Sequence, residues 1–175
     1  QTHYPYRQVD LARTLTTSVG KHLYHLLTTA GNQVTAYDIT GALHVPTFAI
    51  CSGEQVMAYS THYDVEEALT SGLEQALQRY QTAQFQQPEY APDPIRDLPT
   101  HLRGNQLYVP CYTTLPNAWS DRMEWLLQQF QANGWRVFAL PLDHDPALAQ
   151  VLPYIVRLLL TCTDQGNNTK WIALS

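Results

Sequence analysis

Gln33-Val-Thr-Ala-Tyr-Asp-Ile-Thr40, Pro46-Thr-Phe-Ala-Ile-Cys51 and Val56-Met-Ala-Tyr-Ser60 follow one another across short polar connections, and Asp64 then opens a long helical pattern. Val34 to Ile39 alternates and is rich in β-branched and aromatic residues, as a strand requires; the next two runs are apolar and of strand length. Thr40 to Val45 and Ser52 to Gln55 read as turns. Asp64 is a good N-cap, and Glu66 and Glu67 sit in the first turn, where the helix dipole favours acids. Ala68, Leu69, Gly72, Leu73, Ala76, Leu77 and Tyr80 then form one apolar stripe. Three strands followed by an amphipathic helix make the chain α/β (α+β): a mixed β-sheet with helices packed on it.

Upstream, Leu23, Leu26, Leu27 and Ala30 recur at helical spacing, and Gly31 can close that helix in the left-handed conformation. Downstream, Pro88, Pro92, Pro94 and Pro99 exclude a helix interior, so residues 88–99 read as a surface loop dividing the chain into two parts. The second part is expected to run as a strand over Gln106 to Thr113 and a helix from about Asn117 to Asn133 ended by Gly134. Strands at Arg136 to Leu142, Tyr154 to Thr161 and Lys170 to Leu174 follow. Leu23, Leu27, Gly31 and Val34 fall at one constant offset from Leu126, Phe130, Gly134 and Val137, the pattern of two related helix-strand-strand units. Generic helix-Gly-strand packing produces the same pattern.

The chain is 175 residues long, a size that one domain accommodates. It is 45% hydrophobic, which fits a packed protein, while its net charge of -5 supplies no basic footprint for nucleic acid. The longest apolar runs are far below membrane-spanning length, so neither nucleic acid nor membrane is expected as a partner. The opening Gln1-Thr2-His3-Tyr4 has neither an initiator Met nor a signal peptide, as expected of a piece excised from something longer. Cys51, Cys111 and Cys162 are widely spaced, with no CxxC, and read as reduced structural thiols in a cytoplasmic protein.

Along the Asp64 to Tyr80 helix, Glu67, Ser71, Gln75 and Gln78 line one edge beside the apolar stripe. Such an edge faces either a polar site or water. His22 and His25 lack supporting ligands and read as surface histidines. Asp143-His144-Asp145-Pro146 fits ordinary turn chemistry, and Asn167-Asn-Thr169, though a sequon, carries no meaning without a secretory signal. No Gly-rich phosphate loop or GxSxG element is present.

The ordered succession of Gln33 to Thr40 with its Asp-x-Thr ending, His44-Val-Pro-Thr-Phe-Ala-Ile50, Tyr63-Asp-Val-Glu-Glu-Ala68 and Leu73-Glu-Gln-Ala-Leu-Gln78 resembles the core of the YcaO family. Leu152-Pro-Tyr-Ile-Val-Arg157 resembles that family's later strand, so the resemblance runs over nearly the whole chain, as the carboxy-terminal half of a YcaO-type domain. It implies an ATP- and Mg²⁺-dependent cyclodehydratase: a Cys, Ser or Thr side chain attacks a peptide amide, the amide oxygen is phosphorylated, and phosphate leaves to give an azoline. It implies Gln75, Gln78 and Arg157 as nucleotide-facing residues and Glu74 as a metal ligand. The implied partners are the precursor peptide, a leader-peptide-binding protein and other members of a modifying complex, as in bacteriocin or toxin maturation.

Departures from the family pattern bear on activity. The helix-borne Glu of the family's ExxQ pattern falls on Gln75, with Gln78 matching the Gln, and Glu74 lies ~100 degrees around the helix. Mg²⁺ prefers carboxylate oxygen, so metal affinity falls if position 75 is a ligand. The family's acidic SxxExxER helix motif and the proline-rich tail of many azoline-forming members have no match here, and the 175-residue piece alone is expected to be inactive. Arg157 is a basic residue inside an apolar strand, facing either phosphate or an open edge. The sequence thus admits an enzyme fragment, a catalytically degenerate docking scaffold of the same kind of complex, or an unrelated small α/β binding domain.

Overall fold

The computed structural model describes residues 5–84, 98–112, 118–141, 156–163 and 169–174; for residues 84, 141, 156, 157, 162, 163 and 169–174 it describes the backbone alone. Residues 1–115 form one unit and residues 116–175 a second.

The first unit runs β1 (Tyr6–Val9), α1 (Leu11–Thr14), α2 (Ser18–Thr29), β2 (Val34–Asp38), β3 (Thr47–Ser52), β4 (Gln55–Thr61), α3 (Val65–Gln84), a 3-10 turn (Thr100–Leu102) and β5 (Arg103–Tyr108). The sheet order is β4-β3-β2-β1-β5. The β1–β5 pair is parallel and the other pairs are antiparallel, so the sheet is mixed, as the sequence indicates. The proline-rich run expected as a loop lies within this unit, because β5 returns to pair with β1; its residues 88–97 fall outside the described residues.

Strand alternation sorts the side chains. Ala36, Phe48, Ile50 and Ala58 point into one buried cluster with Leu27 of α2 and Ala68, Leu69, Leu73 and Ala76 of α3. Tyr37, Ala49, Cys51 and Val56 point to the other face, where Leu98 covers them. A register shift between Ile50 and Cys51 puts Val56 opposite Cys51 while Met57 packs on the helix side. Leu69 and Leu73, both fully buried, each stabilise the unit by about 1.5–3 kcal/mol on burial. Gly72 brings α3 close to the sheet: a Cβ there would lie 2.5 Å from Ser60 Oγ and 2.8 Å from Ile50 Cγ1.

The helix N-cap expected at Asp64 is present, its Oδ1 accepting the Glu67 N–H at 3.0 Å. Helix α2 ends as expected before Gly31, which takes φ +85°. Two elements carry little sequence signal: β1 is only four residues long, and α1 is one turn capped by Asp10. The strand expected over Gln106 to Thr113 instead occupies Arg103–Tyr108. Val109 and Pro110 leave the ladder because proline has no N–H to donate, and Thr113 is outside the described residues.

In the second unit α4 (Trp119–Ala132) leads through Gly134, at φ +76°, into β6 (Trp135–Pro141), β7 (Val156–Thr163) and β8 (Thr169–Leu174). These strands form an antiparallel sheet in the order β6-β7-β8. Helix, glycine and antiparallel meander thus recur in both units, α2-β2-β3-β4 in the first and α4-β6-β7-β8 in the second. The turn expected at Asp143 to Pro146 lies outside the described residues. Among the described residues no helix is long and apolar enough to cross a membrane.

Candidate functional site

Register assembles a polar cluster at the end of β2. Asp38 pairs directly with Arg7 across β1–β2, and Val9, two residues on, pairs with Tyr108 across β1–β5. Alternation therefore puts Arg7, Asp38 and Tyr108 on one face of three adjacent strands. Tyr112 reaches the same carboxylate from beyond Pro110.

Asp38 is 9% exposed and its oxygens are occupied. Oδ1 accepts the Thr40 N–H at 2.9 Å, closing a local turn, and Oδ2 accepts the hydroxyls of Tyr108 and Tyr112. Thr40 Oγ1 accepts the Thr47 N–H at 3.0 Å and lies 2.8 Å from the Tyr112 oxygen. A phenol has one proton, and the charged carboxylate claims it, so the Thr40 hydroxyl donates to Tyr112. The chain of donors runs from Thr47 through Thr40 and Tyr112 to Asp38.

The electrostatics follow from this geometry. Burial alone would raise the Asp38 pKa, but the hydrogen bonds from Tyr108, Tyr112 and Thr40 outweigh it and hold the carboxyl below its usual value. Burial and the bond to Asp38 push Tyr112 up to about 12 and raise Tyr108 as well. At neutral pH the carboxylate is charged and both phenols keep their protons, so the cluster holds a fixed negative charge and is a poor general acid or base. A cleft of about 280 Å³ opens beside it, lined among others by Arg7, Thr40, His44 and Tyr112.

A second carboxylate ties two helices together. Glu66, in the first turn of α3, accepts the backbone N–H groups of Thr16 and Thr17 and the Thr16 hydroxyl, just ahead of α2. Burial raises its pKa, but the hydrogen bonds from Thr16 and Thr17 together outweigh it and bring it down to about 2.

The residues nominated from the sequence lie elsewhere. Glu74, Gln75 and Gln78 are exposed on α3, as are Glu67 and Ser71, so the polar edge faces outward as one ridge. Gln75 Nε2 donates to Ser71 Oγ at 3.3 Å. Arg157 belongs to β7 in the second unit, opposite Leu140, and its side chain lies outside the described residues. His22 and His25 are exposed on α2. Cys51 is a buried free thiol whose pKa burial raises, and Cys111 is free and exposed. Among the described residues no group of three or more His, Cys, Asp or Glu is placed to hold a metal ion.

The donor set on α3 does not fit Mg²⁺. Glu74 is the only carboxylate among Glu74, Gln75 and Gln78, and it projects ~100 degrees away from Gln75 around the helix. Arg7, Tyr108 and Tyr112 carry no local sequence signal of a site, whereas the Asp-x-Thr ending of β2 marks the position of Asp38. No family model matches the chain, and no curated protein matches it.

Proposed function

We propose that this chain is a YcaO-like module of a cytoplasmic assembly that forms azolines in a ribosomally made peptide, and that it docks partners there rather than turning over nucleotide. The observation that carries the docking reading is the exposed α3 ridge, where the amide of Gln75 occupies the position the resemblance gives to a carboxylate and donates to Ser71. A neutral carbonyl is a weak Mg²⁺ ligand, and the adjacent Glu74 points elsewhere. The partners of this reading are the precursor peptide and the protein that binds its leader.

The alternative is catalytic: an ATP- and Mg²⁺-dependent cyclodehydratase in which Gln78, Gln75, Glu74 and Arg157 face nucleotide. What favours it is the succession β2, turn, β3, β4, α3, which carries the Asp-x-Thr ending, the Val-Pro start and the ridge in the order the resemblance requires. The test is peptide-dependent phosphate release by the full-length protein, with and without Gln75→Glu. Release by the unaltered protein overturns the docking reading. Silence that Gln75→Glu converts to release supports it, as does peptide binding that persists without nucleotide.

A further inference from the structure

The Asp38 cleft contains a cation, Arg7, whose guanidinium donors meet no acceptor among the described residues. Arg7 stacks on Tyr108, its guanidinium carbon 3.8 Å from the ring centroid. Its Nη2 is 3.9 Å from Asp38 Oδ2, close enough for attraction but beyond hydrogen-bonding distance. The Asp38 oxygens are already taken by Thr40, Tyr108 and Tyr112. Asp38 therefore draws Arg7 into position electrostatically without using its N–H groups. Tyr108 fixes the plane of the guanidinium, since its own hydroxyl is anchored on Asp38. Among the described residues none of the guanidinium N–H groups of Arg7 donates a hydrogen bond, and its side chain is 64% exposed. A planar guanidinium with free donors, held against an aromatic face, is arranged to grip an oxyanion bidentately.

We infer that Arg7 is an oxyanion-binding residue and that the cleft takes a carboxylate of an acidic peptide. At about 280 Å³ the space falls at or below the small end of ligand pockets, suited to a side chain or a chain terminus rather than a whole nucleotide. Pro5 and Tyr112 line it and offer apolar wall for the stem of such a group, while the Tyr6 side chain packs on the other face of the sheet. His44, exposed at φ +55° on the β2–β3 turn, adds a ring nitrogen at the rim. Asp38 would repel a second anion if bare, but three hydrogen bonds and the guanidinium offset its charge. The inference stands independently of the family reading, because it concerns a cleft of the first unit and not the α3 ridge.

The test uses the full 175-residue chain, titrated with a short Glu-bearing peptide, its Gln counterpart and inorganic phosphate, while NMR follows the Arg7 Nε–H and Tyr108 ring signals. The Glu peptide is expected to bind roughly tenfold or more tightly than the Gln peptide, the usual scale of a charged hydrogen bond. Arg7→Gln should erase that preference, and Arg7→Lys, which keeps the charge but not the fork, should retain part of it. Arg7 is largely exposed, so both variants should remain folded, with Arg7→Gln only modestly less stable for the loss of its stacking on Tyr108 and its attraction to Asp38; if Arg7→Gln does not fold, Arg7→Lys decides. Equal affinity for the two peptides, or a preference unchanged by either substitution, overturns the inference. Phosphate binding at Arg7 without any response to the Glu peptide overturns it too, assigning the residue to phosphate instead.

Discussion

Asp38 at the end of β2 accepts a hydrogen bond from Tyr112, a residue 74 positions later, so this contact ties the segment after β5 to the centre of the sheet. The carboxylate is buried, and removing its charge leaves two phenols aimed at a poorer acceptor. Asp38→Asn should therefore cost about 1–3 kcal/mol in urea unfolding, the range for losing charged hydrogen bonds at a buried site. Because the folded pKa is depressed, this stability is present above the unfolded value near 4 and lost as pH falls through the lower folded value. Wild type should thus lose more stability on acidification than Asp38→Asn; parallel losses would count against the assignment. Tyr112 has the opposite sign: raised to about 12, it withdraws stability as pH climbs above the unfolded value near 10.

Glu66 gives a second acid-sensitive contact with a different window. Its pKa of about 2 lies below the ordinary 4.5, so its contribution is complete above 4.5 and disappears as pH falls toward 2. Glu66→Gln keeps the shape but weakens acceptance from Thr16 and Thr17, and should cost about 1 kcal/mol at neutral pH, the scale of a helix cap. Unfolding midpoints of the variant and the parent should converge near pH 2. A constant gap between them from pH 7 to pH 2 would mean that the charge of Glu66 does not matter.

The sequence announces those elements whose local pattern and tertiary role agree. The α3 stripe from Ala68 to Tyr80 and the alternation in β2 are legible because a single face of each is buried against one partner. Gly31 and Gly134 are legible because a left-handed helix exit favours glycine. β1 is not: Tyr6-Arg-Gln-Val9 is too short for periodicity to show, and it is a strand because β2 and β5 flank it. The Asp38 cluster is hidden for the same reason. Its members come from β1, β2, β5 and the segment after β5, and only the register brings Arg7, Asp38 and Tyr108 to one face. The α3 ridge could be read from a helical wheel, whereas the outward exposure of Gln75 required the packing of α3 on β3 and β4.

Gly72 is where α3 comes closest to the sheet. A methyl group there would meet Ser60 Oγ at 2.5 Å and Ile50 Cγ1 at 2.8 Å, and neither neighbour is free to withdraw from a closed core. Gly72→Ala should destabilise the protein by about 1–3 kcal/mol, as overpacking does. Ser60 Oγ is buried without a hydrogen-bond partner among the described residues, so Ser60→Ala alone should be neutral or slightly stabilising. The pair tests the geometry, since Ser60→Ala should recover part of the Gly72→Ala loss in a double-mutant cycle. Strict additivity would show that the helix backs away as a whole instead of colliding at Ser60.

Arg103 closes the opposite face of the sheet. Its Nε and Nη2 donate to the Leu98 carbonyl at 3.1 and 2.9 Å, while Nη1 reaches Gly53 O at 3.2 Å and Nη2 reaches Glu54 O at 2.6 Å. One side chain thus joins the β3–β4 turn to the segment that places Leu98 over Tyr37, Ala49, Cys51 and Val56. Lysine carries the charge but lacks the planar fork, so it cannot serve all three carbonyls together. Arg103→Lys should therefore lose most of what Arg103→Ala loses, about 2 kcal/mol on the scale of charged hydrogen bonds. The Cys51 thiol reports on the same cover: it is buried, with its pKa raised by burial, and is expected to react slowly while Leu98 stays in place. Thiol labelling of Cys51 under native conditions should speed up in both Arg103 variants and stay slow in Arg7→Gln, which leaves this face intact. Unchanged labelling in Arg103→Ala would show that the Leu98 segment is held by other contacts.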